Sequence, residues 1–564
     1  MLELEPDGIA AVSLTSGILN PFAGRDITWL LKTQAAEHGS RDFLVWRDLE
    51  GGRLVWTYEE FLVGVEALAV ALRERGVGRG EHVCMFISNC PEFILMWFAL
   101  MRIGSVMVSL NARYTASELA DALARVRSRF IVTEGALLPI VAGALARVQS
   151  TTTGSGPENG APHVVLADSI GPGVTATDHD MVTRPFVLED FSSLLSAGRR
   201  AAGTLPGAVA PLAVAGVQFT SGTTARPKGV MWTQANYLWG GKVSAAHEQL
   251  LGDDRHLVHL PLFHTNAQIY SVMAALWAGA TVVLVPRFSV RRFWSVAVEE
   301  RATWCSMVPF NVKALRRLPV PAHSFRAFGN VAIVPSWDRY FRVTSVAWWG
   351  MTETVSHPIV SEPGLPGRAL AIGVPASEYE VRVRNDGGKT LEKGVGLLEV
   401  RGIRGVSLAL GYLDDPDATE ATWTDGGWMQ TGDRVEVHED GWITFVEREN
   451  DMLKVGGENV AALEVEGVIR AVAGVEEVAV VAGPDPMLDE VPVAFVVVSE
   501  VEEGAKAALA ERIIETCQSE LSSFKVPRAV YLIDELPRVT LGKIAKAALR
   551  AEARRLGSID HDAS

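Results

Sequence analysis

Apolar runs of strand length alternate with amphipathic helices between residues 57 and 133, and this alternation narrows the possible folds more than any other feature. Thr57 and Glu60 form a capping-box pattern, apolar residues then recur at helical spacing, and Gly76 ends the helix. The pattern next predicts a strand over 83–87, a helix over 91–103, a strand over 106–110, a helix from Ser117 and a strand over 130–133. Such repeats build a parallel sheet that is covered by helices on both faces. In these α/β sheets, ligands bind at the carboxyl ends of the strands.

The net charge argues against a nucleic-acid partner. Across 564 residues, 52 Lys and Arg stand against 67 Asp and Glu, which gives a formal charge of -15. A surface of that sign repels the phosphate backbone of nucleic acids. A small anionic ligand remains open, because a local nest of backbone N–H groups and a few lysines outweighs a distant negative field.

Nothing in the sequence predicts secretion, a membrane span or a structural metal. The N-terminus opens with acidic residues instead of a basic region before an apolar core. Residues 204–225 and 265–286 are uncharged over the length of a membrane span, but Gly and polar residues interrupt both. The four cysteines form no C-x-x-C pair and have no histidine at metal-ligand spacing. We therefore expect a cytoplasmic protein without a membrane span.

The pattern of elements changes near Asn450. After it, the sequence predicts a helix over 459–471, strands over 478–482 and 491–498, and a helix over 504–518. This predicts an N-terminal domain of residues 1–449 and a smaller α/β domain of residues 450–564, which we call the lid. The Gly-, Ser- and Thr-rich stretch at 150–163 is expected to be a surface loop of the N-terminal domain.

The segment 219–229, FTSGTTARPKG, is the strongest candidate for chemistry. It follows an apolar run and combines hydroxyls, a flexible glycine and a terminal cation, which are the donors that phosphate oxygens need. These residues are Thr220, Ser221, Gly222, Thr223, Thr224 and Lys228. It is not a Walker loop, because Pro227 and Gly229 stand where that loop has Gly and Ser or Thr. By composition alone, it could equally be a plain surface turn.

The order of residues in this segment resembles the phosphate loop of the adenylate-forming superfamily, which comprises acyl-CoA synthetases, peptide-synthetase adenylation domains and luciferases. Further motifs follow in the family's order: WWGMTE at 348–353, IGVP at 372–375, GLLEVRG at 396–402, TGD at 431–433, ERENDMLKVGGEN at 447–459 and LPRVTLGKI at 536–544. With PLFHTNAQ at 261–268 and FKVPR at 524–528, the chain is most similar to the CoA-ligase branch, and within it to carnitine-CoA-ligase-like enzymes. The resemblance covers nearly the whole chain. It implies an α/β fold with a large N-terminal adenylate-forming domain of several subdomains and a small mobile lid.

The resemblance implies a reaction in two steps. A carboxylate attacks the α-phosphorus of ATP to give acyl-AMP and pyrophosphate, and a thiol, usually that of CoA, then displaces AMP to give a thioester. In the first step, Glu353 would ligate Mg²⁺, Thr352 would contact the α-phosphate, and the phosphate loop would hold the β- and γ-phosphates. Asp433 would accept both ribose hydroxyls, and Arg448 would reach the ribose and phosphate. The remaining nucleotide-binding residues of the WWGMTE motif are Trp349, Gly350 and Met351.

The resemblance also implies that two different faces of the lid take part in the reaction, one in each step. Lys543, a point charge on a flexible stem, would neutralise the oxyanion that forms between carboxylate and phosphate during adenylation. Lys454 and the pair Gly456–Gly457 would serve the thioester step, and rotation at Asn450 would exchange the two faces. His264 would gate the acyl and thiol channels; a buried structural histidine is the equal alternative.

Two segments depart from the family pattern. Trp349 replaces the tyrosine that usually stacks on adenine, and Gly329 and Asn330 lie in AFGNVAIV (327–334), where the family has a small Gly-Gly-Ala or Gly-Ser-Ala-Pro segment. The larger ring could stack more strongly on the base or narrow the ATP slot. The acyl pocket is expected to involve residues 237–242, the His264 loop and residues 304–310. Aromatic crowding there suggests a mid-sized or bulky, ring-bearing acid.

The leading hypothesis is an acyl-CoA ligase that uses a carboxylic acid, ATP, Mg²⁺ and CoA. One alternative enzyme performs only the thioester half-reaction on a preformed acyl-AMP, and another loads a carrier-protein arm. A catalytically silent nucleotide- or acyl-binding protein is the alternative from a different class. A homodimer is the default expectation for the assembly.

Overall fold

The computed structural model describes residues 20–151, 161–167, 186–201, 203–220, 227–364, 367–424, 426–448, 452–498, 503–538 and 544–562. Strands and helices are numbered in chain order. Within those residues the chain is a mixed α/β protein with three β-sheets, as the sequence predicts.

Helices cover the sheets and alternate with strands over the first part of the chain. In the described ranges they are α1 (Ile27–His38), α2 (Tyr58–Glu74), α3 (Pro91–Ile103), α4 (Ala116–Val126), α5 (Leu138–Thr151), α6 (Phe191–Arg200), α7 (Gln234–His247), α8 (Ala274–Ala278), α9 (Phe293–Glu299), α10 (Pro309–Leu315), α11 (Pro335–Phe341), α12 (Pro416–Thr422), α13 (Ala462–Arg470), α14 (Glu503–Glu520) and α15 (Lys546–Asp562). The described residues also contain 3₁₀ turns at Gly135–Leu137 and Thr352–Thr354 and a π-helical segment at Asn266–Met273.

Sheet I carries the phosphate loop. Its strands in spatial order are β19 (Gly411–Tyr412), β9 (Lys228–Thr233), β8 (Val214–Thr220), β4 (Val106–Ser109), β3 (His82–Phe86), β5 (Phe130–Thr133), β6 (His163–Leu166) and β7 (Val187–Asp190). The strands from β8 to β7 run parallel to one another, as the alternation of elements predicts. The phosphate loop joins β8 to its antiparallel neighbour β9.

Sheet II is the largest sheet. Its strands in spatial order are β17 (Glu380–Arg384), β18 (Gly394–Arg401), β20 (Trp428–Val437), β21 (Ile443–Arg448), β16 (Ala371–Pro375), β15 (Ile359–Val360), β14 (Thr344–Trp349), β13 (Ala327–Asn330), β12 (Trp304–Ser306), β10 (Arg255–Val258), β11 (Thr281–Leu284), β1 (Asp42–Arg47) and β2 (Arg53–Thr57). The strands from β14 to β1 are parallel, so the residues that follow β14 emerge at a carboxyl edge.

Sheets I and II share one hydrophobic core. Met85 and Met107 from sheet I belong to the same buried cluster as Leu44 and Val282 from sheet II. No residue of α3 is exposed, which explains the long apolar sequence of this helix. The two sheets therefore pack into one body.

Sheet III lies within the predicted lid. Its strands are β23 (Glu458–Ala461), β22 (Met452–Val455), β25 (Asp489–Val498) and β24 (Val475–Asp485), with β26 (Ala529–Leu532) added beside β25. Its core is separate, and Val465, Val480 and Ile513 belong to it. The boundary at Asn450 lies outside the described residues, so the division into 1–449 and 450–564 stays a prediction.

Most predicted elements are confirmed to within a few residues. The helix after Thr57 begins with the predicted capping box: the Glu60 amide donates to Thr57 Oγ1 at 3.2 Å, and the Thr57 amide donates to Glu60 Oε2 at 2.9 Å. Residues 91–103 form α3, and residues 130–133 form β5. Much of the stretch 150–163 lies outside the described residues. In the described part of the chain, no helix is long and apolar enough to cross a membrane.

The predicted start of the helix at residue 459 is wrong. Residues 458–461 form β23, and the helix α13 begins at Ala462. The reason is the two-residue hairpin before it, since Gly456 and Gly457 both have positive φ, at 60° and 95°. Two positive φ angles are those of the turn that joins twisted strands most readily. This turn folds β23 back on β22, with Asn459 opposite Lys454.

Buried neutral histidines predict acid sensitivity. His259 is 3% exposed, and burial lowers its pKa to about 4. The folded protein then binds this proton only at a lower pH than the unfolded chain, so stability is lost as the pH falls from the ordinary histidine pKa towards 4. Urea titrations should show a free energy of unfolding that is lower at about pH 5 than at about pH 7 by ~2 kcal/mol from this group. His259→Phe should reduce that difference; an unchanged pH slope would contradict the assignment.

Candidate active site

A cavity of about 1140 Å³ lies at the carboxyl ends of β8 and β14 and extends beneath the lid. It brings together residues that are far apart in the sequence. The predicted site residues that line it are Thr220, Lys228, His264, Trp349, Gly350, Met351, Thr352, Glu353, Asp433, Lys454 and Gly457. The position agrees with the rule that parallel α/β sheets bind ligands at the carboxyl ends of their strands.

Glu353 is held in the 3₁₀ turn that follows β14. Its side chain is almost fully buried, at 4% exposure, and Oε1 accepts a hydrogen bond from the Tyr412 hydroxyl at 2.8 Å. The Lys228 ammonium lies 4.7 Å from the centre of the Tyr412 ring. Burial raises the pKa of Tyr412, and the Glu353 charge raises it further, so the phenol keeps its proton and remains a donor. Tyr412 could not be predicted as a site residue from the sequence, because its partner is 59 residues away.

Thr352 is fixed by two neighbours. Its carbonyl oxygen accepts a hydrogen bond from Trp232 Nε1 at 2.9 Å, and its hydroxyl lies 3.2 Å from the Thr265 hydroxyl. The Thr265 hydroxyl also lies 3.1 Å from Gln218 Oε1. The threonine predicted to contact the α-phosphate thus has a set orientation before substrate binds.

Asp433 and Trp349 are direct partners. Trp349 Nε1 donates to Asp433 Oδ2 at 2.8 Å, and both side chains are buried. Asp433 lies in β20 opposite Arg448 of β21. A carboxylate has about four acceptor positions, so Asp433 can take this bond and still accept from a ribose. Through this hydrogen bond Trp349 orients the Asp433 carboxylate, which a ring that only stacks on the base would not do.

Gly329 and Asn330, which lie where the sequence departs from the family pattern, do not line the first cavity. Asn330 is 2% exposed and donates from Nδ2 to Ser345 Oγ at 2.8 Å. The space above Gly329 is filled by Trp348. The next residues, Val331 and Ala332, are the ones that line the cavity.

His264 contacts Glu458 of the lid. His264 Nε2 lies 3.1 Å from Glu458 Oε2, which also accepts from Asn111 Nδ2 at 3.4 Å, and Arg113 lies 3.8 Å from Oε1. Burial by itself would raise the pKa of Glu458, but the His264 contact, Arg113 and Lys525 lower it below its ordinary value. The glutamate is therefore charged, and polar side chains of the N-terminal domain surround its carboxylate. It stands in the GGEN motif, but its partner was not predictable from the sequence.

A second cavity, of about 810 Å³, meets the first one beside His264. Both cavities are lined by His264, Asn266, Val308 and Gly457. The second cavity is also lined by Gly456 and Glu458 from the lid and by Arg113 and Arg287 from the N-terminal domain. The two cavities therefore lie side by side at His264.

The lid presents its Lys454 face to the first cavity. The Lys454 amide donates to Glu490 Oε2 at 2.8 Å, and its ammonium lies 4.8 Å from the centre of the Phe445 ring. Gly457 packs against Val308, where an added Cβ would lie 3.5 Å from Cγ2. Backbone thus approaches the junction of the two cavities closely, as the predicted role of the glycine pair requires.

Several predicted residues lie outside the described part of the chain. They are Ser221, Gly222, Thr223 and Thr224 of the phosphate loop, Asn450 at the predicted hinge, and Lys543. For Arg448 only the backbone is described. Among the described residues, no group of three or more His, Cys, Asp or Glu side chains is placed to hold a metal ion.

The chain matches the family model of the AMP-binding enzyme over residues 31–413, and that of the AMP-binding enzyme C-terminal domain over residues 464–543. This chain belongs to the AMP-binding enzyme family. Among curated AMP-binding relatives, the crotonobetaine/carnitine–CoA ligase of Proteus mirabilis is 31% identical over 532 residues, or 92% of this chain and 97% of that protein. The enzyme of the same name from Citrobacter koseri is 30% identical over 540 residues, or 93% and 99%. The predicted family and its CoA-ligase branch are confirmed.

Solved structures of AMP-binding enzymes confirm the fold. The amide bond synthetase McbA from Marinactinospora thermotolerans is 26% identical, with a TM-score of 0.74 and coverage of 93% of this chain and 99% of that one. Two MenE structures from Bacillus subtilis, an o-succinylbenzoate CoA synthetase, are each 22% identical. A double mutant bound with the product analogue OSB-NCoA gives a TM-score of 0.75 at 93% and 98% coverage, and the AMP complex gives 0.62 at 92% and 98%. The chain is therefore nearer in overall arrangement to the first MenE complex than to the second.

Proposed function

We propose that this chain is an acyl-CoA ligase, which converts a carboxylic acid, ATP and CoA into acyl-CoA, AMP and pyrophosphate through an acyl-adenylate. The observation that carries the proposal is the junction of the two cavities at His264. One cavity holds the residues predicted to bind ATP, and the other reaches the same point from beneath the lid. A thiol that enters by the second cavity would meet an acyl-adenylate formed in the first.

In the first step, a carboxylate oxygen bonds to the α-phosphorus and pyrophosphate leaves. The chain has little covalent chemistry to perform, so positioning and charge dominate. We assign Thr352 to the α-phosphate, Lys228 to the outgoing phosphates, Asp433 to the ribose and Lys543 to the developing negative charge. Glu353 would hold Mg²⁺ together with the substrate phosphates, and its single carboxylate fits the way this ion is usually bound at nucleotides. The ion would neutralise phosphate charge.

In the second step, the thiol sulfur bonds to the acyl carbonyl carbon and AMP leaves. We propose that Glu458 holds the imidazole of His264 at the channel junction, and that Lys454 and the Gly456–Gly457 turn border the thiol path. A cytoplasmic location and a homodimer stay predictions from the sequence.

The test is acid-dependent exchange of labelled pyrophosphate into ATP, followed by detection of acyl-CoA when CoA is added. A ligase gives both signals, and the carrier-protein alternative gives the first without the second. An enzyme limited to the thioester step gives only acyl-CoA from supplied acyl-AMP. If neither signal appears with any acid or acyl-AMP, the remaining alternative is the catalytically silent binding protein.

A buried ion cluster holds the lid in this orientation. Lys525, 4% exposed, places its ammonium 2.6 Å from Glu118 Oε1 of α4 and 2.7 Å from Glu464 Oε1 of the lid. Ser522 Oγ donates to Glu118 Oε2 at 2.7 Å, and Thr115 Oγ1 donates to the Glu520 carbonyl at 2.9 Å. Because the lid must rotate between the half-reactions, these contacts belong to one orientation only.

Glu118→Gln should slow the thioester half-reaction selectively. The change removes one of the two carboxylates that neutralise buried Lys525, which weakens the orientation seen here. We expect acyl-CoA formation from acyl-AMP to fall by roughly tenfold, while pyrophosphate exchange stays within about threefold. Glu37→Gln, the same chemical change at an exposed position of α1, is the matched control. Equal loss in both half-reactions would instead indicate a structural role for Glu118.

A further inference from the structure

Trp348 closes the apolar end of the first cavity. It is the last residue but one of β14, its side chain is 5% exposed, and it lines the cavity beside Tyr270, whose ring meets it edge-on. Neither side chain carries a charge, so neither offers an ion-pair partner for a second carboxylate on the substrate.

The indole is held by rings on several sides. His357 is stacked on Trp348 with 4.4 Å between ring centres and 18° between planes, and Trp304 lies parallel to it at 6.2 Å and 9°. Tyr270 meets it edge-on at 5.8 Å. Behind Trp304, His256 continues the column at 6.0 Å. A ring packed in this way moves aside only with displacement of its neighbours, so the wall is fixed.

The indole occupies the space that Gly329 leaves open in the next strand, β13. A Cβ added at Gly329 would lie 1.8 Å from Trp348 Cη2, and the next two nearest atoms, at 2.3 and 2.6 Å, belong to the same ring. The glycine and the tryptophan are therefore matched in size. The room that a substrate ring could use beside a glycine is taken by the protein's own ring.

The residues behind the indole do not reach the cavity. Tyr237 and Trp304 are fully buried, and α7 packs so closely that a Cβ at Gly240 would lie 2.5 Å from Ile269 Cγ2. Of the segments expected to form the acyl pocket, 237–242 does not line the first cavity, and 304–310 contributes Val308 and Pro309. The aromatic residues of this region thus fill space instead of surrounding a large substrate.

We infer that the acid activated at this site is a short aliphatic monocarboxylate, such as propionate or butyrate, and not a ring-bearing acid. The inference rests on the proposed function, since it places the acyl group at the end of the cavity that Trp348 closes. It reverses the expectation of a bulky acid that the aromatic sequence suggested.

The direct test compares two non-hydrolysable adenylate analogues, butyryl- and benzoyl-sulfamoyl adenosine, for binding to the full chain by calorimetry. We expect the butyryl analogue to bind at least about 30-fold more tightly. Exchange assays with propionate, butyrate, hexanoate and benzoate give the catalytic counterpart. Tighter binding of the benzoyl analogue would overturn the size inference alone. Tight binding of the butyryl analogue without any acid-dependent chemistry would support the size inference and overturn the proposed function.

Trp348→Gly should reverse the preference, because it opens the space beside Gly329. We expect affinity for the benzoyl analogue to rise by roughly 30-fold relative to the butyryl one. Trp294→Phe, which alters a buried ring outside this column and outside both cavities, should leave the ratio unchanged. If Trp348→Gly does not fold, Gly329→Ala supplies the test, since its Cβ pushes the indole into the cavity and should weaken the butyryl analogue at least tenfold. An unchanged ratio in folded Trp348→Gly, or unchanged butyryl affinity in Gly329→Ala, would overturn the inference.

Discussion

Replacing Lys543 with alanine is expected to stop adenylation and spare thioester formation. The assignment gives this lysine the task of neutralising charge that develops between the carboxylate and the α-phosphate, and removal of one such group typically costs about a hundred- to a thousandfold in rate. Acid-dependent pyrophosphate exchange should fall by that factor. Conversion of supplied acyl-AMP and CoA into acyl-CoA should remain within about threefold of the wild-type rate, because the proposed second step does not use Lys543.

The matched control for this lysine is Lys393→Ala. Lys393 is exposed and paired with Glu439 on the N-terminal domain, away from both cavities. This change removes the same charge from the protein and should leave both half-reactions as they are. If exchange survives in Lys543→Ala, the role proposed for Lys543 is wrong, although the family and the fold would stand.

Glu458→Ala is expected to give the opposite pattern. Glu458 is buried, at 6% exposure, and it contacts His264 at 3.1 Å and Asn111 at 3.4 Å. Removal of one buried, hydrogen-bonded charge from a contact costs roughly 2–5 kcal/mol of interaction free energy, because the charged partner stays buried without a counter-charge. We expect acyl-CoA formation from acyl-AMP to fall by about a hundredfold, with exchange changed by less than about threefold.

Two comparisons make this result interpretable. Glu476→Ala removes an exposed glutamate of the lid and should leave both half-reactions intact. Combining Glu458→Ala with His264→Ala should add little to the loss in the thioester step, since the two side chains act as one pair. Fully additive losses would show that they act separately, and an equal fall in exchange would place Glu458 in adenylation.

The family and the elements of the fold could be predicted from the sequence because their signals are local. The capping box of Thr57 and Glu60 spans three residues, and its two hydrogen bonds form wherever the helix starts. The strand at 130–133 and the helix at 91–103 follow from periodicity within one element. The motif order likewise identified eleven of the residues that line the first cavity.

A prediction from local sequence failed where pairing with another segment of the chain decides the structure. The helical periodicity after residue 459 is real, but pairing of Asn459 with Lys454 across the glycine turn takes the first residues into a strand. The aromatic residues near the acyl site suggested a ring-bearing acid, but composition does not say which rings border a cavity. The structure shows that Trp348 lines the first cavity and also occupies the space that Gly329 leaves in the neighbouring strand.

The sequence by itself determined the family, the α/β class, the order of the elements and the chemical types of the site residues. Only the tertiary structure decided which of them meet: Tyr412 with Glu353, Trp349 with Asp433, and Glu458 of the lid with His264. Local hydrogen bonds and periodicity are encoded within a few residues. A contact between residues separated by 59, 84 or 194 positions depends instead on how sheets and lid pack, and that packing is a property of the whole chain.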